Sequence, residues 1–494
     1  MVLALVIPVT GRMRFGSAFL LAVLGAALST VASVWALVTV IDQGVALHYN
    51  LGGWTPPVGI EYVVDHIAAF VAVVVSSVST LTIIATRRWA DREAGDRTGP
   101  FYGLVMLLLA GLLGMVVTGD LFNLFVFLEI SSLAAYALVF LGGRQGMIAG
   151  FRYLMLGSIG GAFYLLGVGF LYFTTGTLNM ADTAAILTED ASARSVQAGA
   201  VFIFVGLGLK MALVPLHVWL PDAYTFAPSS VNSLIAPVMT KVGAYAMIRM
   251  FISVFPDGYL TDQVPIADAL LVLGLIGIVY GSVMAIAQHD LRRMLAYSSI
   301  GQLGLIAVGI GLATPLGFIA ALLHIMNHAV MKSTLFLAVA SVRLSTGLSN
   351  VSDLTGLGRR MPLTMAAFTL GAISMVGIPP AAGFFSKWWA VQAAVERDQW
   401  LVVVVVLGSS LLTAVYLFRV LERVYLHPPK PEHAADHQSA IAGASPDDPT
   451  AAEATEATES PADAVLPLVL LAIATVALGV MSSIIVTHVL EPGL

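Results

Sequence analysis

The chain has 494 residues, 58% of them apolar and only 11% Asp, Glu, Lys or Arg, with a mean hydropathy of +0.92. Soluble domains carry more than twice that charge, so a soluble enzyme, a nucleic-acid-binding protein and a disordered chain are excluded. The net charge of −6 says little, because eight acidic residues fall in one late segment, and with no Cys there are no disulfides or thiolate metal sites.

What remains is an all-α polytopic membrane protein, whose backbone polar groups are satisfied inside helices. Met1 to Val9 is an apolar stub ended by Thr10-Gly11-Arg12. No basic region precedes it and no small-residue cleavage site follows, so it reads as a shortened first span, not a signal peptide. Thirteen longer apolar runs follow, at 17–41, 61–85, 101–119, 121–141, 153–175, 196–214, 231–254, 266–287, 296–313, 316–341, 363–396, 400–420 and 464–489. Each is long enough to cross, since a span needs ~20 residues. With the stub the expected count is about fourteen.

Arginines alternate between loops. Arg12 and Arg14, Arg87, Arg88, Arg92 and Arg97, Arg144 and Arg152, Arg292 and Arg293, Arg343, Arg359 and Arg360, and Arg419, Arg423 and Lys430 share one side; Arg194, Arg249 and Arg397 fall on the other. The positive-inside rule makes the first side cytoplasmic and puts both termini outside. Residues 1–427 then form a membrane core, and 464–494 a last membrane helix. Between them, 428–463 is rich in Pro, Ala, Thr and Glu. It cannot bury enough apolar surface to order itself and reads as a disordered acidic cytoplasmic linker. A metal-binding tract through His427, His433 and His437 is the alternative.

Lysine placement points to function. Of five lysines, Lys210, Lys241, Lys332 and Lys387 lie inside apolar runs, whereas the 18 arginines sit in loops or at span ends. A cation at the bilayer centre costs ~2.5–3.5 kcal/mol on insertion scales, a load that packing alone does not justify. Arginine keeps its proton, whereas desolvated lysine can release one near neutral pH, so lysine inside and arginine outside suits a proton pathway. Glu129, two turns into its helix among Phe127, Leu128 and Ile130, must be protonated or paired. Asp65 and Asp120 lie at helix ends and read as helix caps or proton-access groups. His324, His328 and Lys332 recur every fourth residue, along one helix stripe able to relay protons. Metal binding by the two histidines is the rival, but it lacks an acidic or thiolate ligand. Pro215 follows Lys210, and Pro379-Pro380 precedes Lys387. Broken helices at membrane depth are tolerated only where they line protein or a cavity, and paired breaks in two halves of a transporter mark its site.

The phrases GDLFNLFVFLE, TGTLNMAD, KMALVPLHVWLPDAYTFAPSSV, TKVGAYAMIR, QHDLRRMLAYSSIGQLG, HIMNHAVMKSTLF and GIPPAAGFFSKW carry a resemblance over nearly the whole chain. The sequence resembles the proton-translocating antiporters, which comprise Mrp-type Na+/H+ antiporter subunits and the antiporter-like subunits of respiratory complex I, and within them the D-type Mrp subunits. The resemblance implies fourteen helices with inverted five-helix repeats, helices four to eight and nine to thirteen, the seventh and twelfth broken. It implies that Glu129 and Lys210 form a charge pair and that Lys241, His324, His328, Lys332 and Lys387 continue a midplane axis. It further implies other Mrp subunits as partners in a prokaryotic cell membrane, H+ and Na+ as substrates, and no cofactor or metal. A proton-pumping subunit of an NADH-quinone oxidoreductase or membrane-bound hydrogenase, and a non-conducting scaffold, are the alternatives. The short first helix and the long acidic segment depart from the family pattern.

Overall fold

The computed structural model describes residues 1–10, 16–428 and 458–494. Arg12, Arg14, Lys430, His433, His437 and most of the acidic segment lie outside the described residues. The stub is α1 (Val2–Thr10), and α2 (Ser17–Gln43) is the first full crossing. A hairpin follows, in which β1 (Leu47–Asn50) pairs antiparallel with β2 (Glu61–Val64), Leu47 opposite Val64. This corrects the span expected from residue 61. The helix α3 (His66–Ala85) starts only after Asp65, whose carboxylate accepts the Ala68 N–H. Tyr62, Val63 and Val64 extend the apolar run, but aromatic and β-branched residues serve a strand equally well.

A polar helix, α4 (Arg87–Ala94), anchored by buried Trp89, precedes α5 (Thr98–Val117), α6 (Leu121–Phe140) and α7 (Gly143–Thr175). A short α8 (Met180–Glu189) leads to α9 (Arg194–Lys210), α10 (Leu220–Phe226) and α11 (Ser229–Ser253). Then come α12 (Ile266–Ile286), α13 (Leu291–Gly311) and α14 (Pro315–Thr346). The chain continues through α15 (Leu357–Arg360), α16 (Pro362–Val376), α17 (Ala382–Glu396) and α18 (Trp400–Leu426). It ends with α19 (Ala462–Val480), α20 (Ser482–Ile485) and two further helical turns, Val486–Leu490 and Glu491–Gly493. Among the described residues, eleven helices are long and apolar enough to cross a membrane. Two broken helices, α9 with α10 and α16 with α17, and the stub complete fourteen. The chain is a polytopic integral membrane protein.

The breaks fall beside the lysines. α9 stops at Lys210, and 211–219 run irregularly, with Ala212 at φ 60° ahead of Pro215. α16 stops at Val376, where Gly377 takes φ 90°, and Pro379-Pro380 fill the gap before α17. Neighbouring backbone seals the second break: a Cβ on Gly479 of α19 would lie 2.1 Å from the Pro380 carbonyl oxygen.

Two matching brackets reveal the repeats. Asp120 caps α6 and forms an antiparallel bridge with Asn179, just beyond α7; Asp290 caps α13 and bridges Asn350, just beyond α14. Leu121 N–H donates to Leu178 and Met180 N–H to Gly119; likewise Leu291 donates to Ser349 and Val351 to His289. From the first bracket to the second the chain crosses five times, by α6, α7, the broken α9–α10, α11 and α12. An odd number of crossings puts the brackets on opposite faces, so the five-helix units are inverted. α13 and α14 are buried along their whole apolar stretch at the centre, while α2 and α18 leave most of theirs exposed at the rim.

Candidate functional site

In the first repeat Lys210 is buried at the end of α9. Its ammonium donates to Glu129 Oε1 at 3.3 Å, Ser132 Oγ at 2.8 Å and the Tyr136 hydroxyl at 3.3 Å. All three of its donors are used. The acceptors stand at spacings of three and four on α6 and so share one face. Two glycines of α7 make room for them: a Cβ on Gly161 would lie 2.2 Å from Glu129 Oε1, and one on Gly157 would lie 1.8 Å from the Tyr136 hydroxyl. The Glu129 side chain remains 24% exposed, on a rim where Phe122 and Leu133 face outward.

Aromatic rings run from this pair toward the centre. Tyr136 meets Tyr153 edge-on, Tyr153 stacks on Trp219 at 4.0 Å, and Trp219 leads through Tyr224 to Phe336 on α14. Lys332 lies over the Phe336 ring. Its ammonium donates to the Leu295 carbonyl at 2.7 Å and to Ser298 Oγ at 2.5 Å. Lys241 donates to the Ala236 carbonyl at 2.6 Å. Both lysines are fully enclosed. His324 and His328 stack with ring centroids 5.8 Å apart. His324 engages Ser386 Oγ and Gln302 Oε1 through its two ring nitrogens, both at 2.9 Å, which leaves neither lone for a metal. Both nitrogens of His328 are buried without a hydrogen-bond partner among the described residues. No group of three or more His, Asp or Glu side chains among the described residues is placed to hold a metal ion.

The second repeat holds Lys387 differently. Its ammonium donates to the carbonyls of Met375 at 3.0 Å and Val376 at 2.9 Å, and to Ser410 Oγ at 2.9 Å. These carbonyls end α16, where the helix dipole is negative. His324 bonds Ser386, the residue before Lys387, so the stripe on α14 reaches the second repeat.

Two expected residues stand apart from this row. Asp120 caps α6 through the Asn123 N–H at 2.6 Å, within the bracket already described. Asp65 caps α3 and also pairs with both terminal guanidinium nitrogens of Arg249, each at 2.6 Å. The arginine pattern places Arg249 in a loop, but it is buried in α11, its Nε donating to Tyr245. Helical spacing from Glu129 could have found Ser132 and Tyr136. Gln302, Ser298 and Ser410 carry no such signal, because they reach His324, Lys332 and Lys387 from other helices.

The family described as "NADH:quinone oxidoreductase/Mrp antiporter, TM" matches residues 118–413, from the first bracket into α18. The N-type subunit of the NADH-quinone oxidoreductase of Desulforudis audaxviator is 45% identical, over 96% of this chain and 92% of its own. The D-type subunit of the Na(+)/H(+) antiporter of Alkalihalophilus pseudofirmus is 32% identical, over 78% of each chain. A chain in the structure of the Mrp complex from Dietzia superposes with a TM-score of 0.87 at 25% identity, covering all of this chain and 94% of that one. With its inverted repeats, twin breaks and buried lysine row, the chain belongs to the NADH:quinone oxidoreductase/Mrp antiporter transmembrane family.

Proposed function

We propose that the chain is a proton-conducting subunit of a multisubunit monovalent cation (Na+)/H+ antiporter in a prokaryotic cell membrane, with both termini outside. The observation that carries this reading is the Glu129–Lys210 pair standing at one end of a row of buried lysines and histidines. A proton moving along Lys241, His324, His328, Lys332 and Lys387 changes the charge facing Lys210. The pair loosens or tightens in response, and that shift drives the proton on. The part-exposed Glu129 on an apolar rim supports assembly, since a carboxylate at membrane depth fits burial against a partner subunit better than contact with lipid. The sodium half of the exchange falls to the assembly, because the charged groups of the buried row are lysines and histidines, whereas a hard cation takes several oxygens.

The 45% identity to an N-type oxidoreductase subunit favours a second reading, in which the same row pumps protons for a quinone-linked oxidoreductase. A salt-sensitive strain lacking its antiporters separates the two. Supplied with the neighbouring genes, it should regain growth in sodium only when this gene is present. Growth independent of this gene would overturn the antiporter reading.

A further inference from the structure

Among the described residues, five helices are capped by their own sequence: Asp65, Asp120, Asn179, Asp290 and Thr314 each accept an N–H from the first turn they precede. α11 and α16 are among the long helices without such a cap. They start at Pro228-Ser229-Ser230 and Met361-Pro362-Leu363-Thr364, without a side-chain bond from the capping residue. Both matter to the pathway, because α11 bears Lys241 and the last carbonyls of α16 hold Lys387.

Their caps come from far away and are built alike. Glu93, on α4, accepts the N–H groups of Ser229 at 2.7 Å and Ser230 at 3.0 Å and the Ser230 hydroxyl at 2.5 Å. Glu459, just ahead of α19, accepts the N–H groups of Leu363 at 2.8 Å and Thr364 at 3.4 Å, and the Thr364 hydroxyl. In each case one carboxylate spans two consecutive N–H groups and the hydroxyl of the second residue. A carboxylate is the favoured partner for a helix N-terminus. The two capping segments are themselves joined, because Arg88 Nε on α4 donates to Asp463 Oδ2 on α19 at 2.9 Å.

We infer that these contacts form a strap across the arginine-rich face, running from α11 through Glu93, α4, Arg88–Asp463 and Glu459 to α16, which sets the position of the Lys241 helix relative to the carbonyl cradle of Lys387. Glu93 and Glu459 are positioning residues: they touch no pathway group and act through the helices they cap. The Arg88–Asp463 link joins an exposed arginine to a half-buried aspartate, so salt screens it in part and it fixes geometry more than stability. The strap lies outside both repeats at its middle, which lets it tie one repeat to the other without belonging to either.

The chain has no Cys, so spin labels can be placed without background. Labels at Arg92→Cys and Leu363→Cys occupy exposed positions on α4 and α16. In membranes holding the full chain and its assembly, the parent should give one narrow interlabel distance. Glu459→Ala, Thr364→Val and Arg88→Asp should each broaden it, and Arg88→Asp with Asp463→Arg should narrow it again. Exchange in everted vesicles should fall several-fold in the broadened variants, with chain levels unchanged, and recover in the reversed pair. An unchanged distance in Glu459→Ala, a reversed pair that recovers neither readout, or broadening without a change in rate overturns the strap as a positioning device. The rate readout rests on the proposed antiport, but the distance readout does not. Vesicles in which the parent exchanges nothing refute that function and leave the distances to decide the strap.

Discussion

The two repeats give their broken-helix lysines the same number of partners but different electrostatics. Lys210 and Lys387 each place three donors on three oxygens, and each uses a serine from a neighbouring helix. Lys210 faces a carboxylate, whereas Lys387 faces the carbonyl end of α16, a half-charge fixed in the backbone. A carboxylate can take up a proton or swing away; a helix end can do neither. The first repeat therefore holds a pair whose strength responds to its surroundings, and the second holds a cation against a constant field. Under the proposed function, the first half holds a switch and the second a station.

The largest expected effect comes from erasing the difference. Glu129→Gln keeps the shape of the side chain and leaves Lys210 with neutral partners only, as in the second repeat. Breaking a fully buried pair costs about 3–5 kcal/mol, and the part exposure of Glu129 puts this pair at or below the lower end. Exchange in everted vesicles should fall by about a hundredfold while the subunits still co-purify. Undiminished exchange would remove the switch from the mechanism and favour a scaffold.

Lys387 sharpens the comparison from the other side. If its charge only anchors the α16 terminus, Lys387→Arg preserves that charge and exchange continues. If it passes a proton, arginine fails, because its pKa above ~12 keeps it charged at any working pH. Lys387→Ala controls for bulk, since Gly377 already sits close: a Cβ there would lie 3.1 Å from Lys387 Cδ. Both variants should lose about tenfold in pH-gradient-driven exchange with partner subunits retained. Exchange retained in Lys387→Arg would recast this lysine as a fixed gate.

Much of this was readable in the sequence because membrane solvation imposes one-dimensional rules. Apolar runs gave the spans, prolines beside lysines gave the breaks, and an isolated Glu129 asked for the cation it has. The inversion was also written there, in TGTLNMAD and its counterpart TGLSNVSD at 346–353, but it emerges only once Asn179 and Asn350 are seen bridging Asp120 and Asp290. Other features were not local. Arg249 meets a carboxylate 184 residues away, and the caps of α11 and α16 come from 136 and 96 residues away. Helical periodicity carries no information about partners on other elements. The strand at 61–64 escaped because an apolar run has no period that separates it from a helix.

The glycines of α7 test the pair without touching a charged group. Gly161→Ala drives a methyl group into Glu129 Oε1, so the carboxylate must leave Lys210 or α7 must move. Misplacing a reacting group by ~1 Å can cost up to a hundredfold, and a flexible glutamate should absorb part of that. Exchange is expected to drop several-fold, less than in Glu129→Gln. Gly169→Ala, with nothing within 4 Å of its added carbon, should be silent on the same helix. Equal losses in both would trace the effect to helix packing in general.

The smallest effect is expected from the acidic segment, and its boundary matters. Glu459 and Asp463 belong to ordered contacts, so a test of the linker must stop short of them. Replacing residues 432–456 by a Gly/Ser segment of equal length removes most of the acidic charge and keeps the reach between α18 and α19. A stretch so poor in apolar residues has little with which to offset the entropy of ordering, so exchange should stay within about twofold of the parent. Extending the replacement to residue 463 takes Glu459 from α16 and Asp463 from Arg88. The loss should then approach that of the Glu459→Ala variant. A large loss from 432–456 alone, at full membrane levels, would mean that the acidic stretch itself engages the assembly; equal, small losses from both replacements would detach α16 from any control by the last helix.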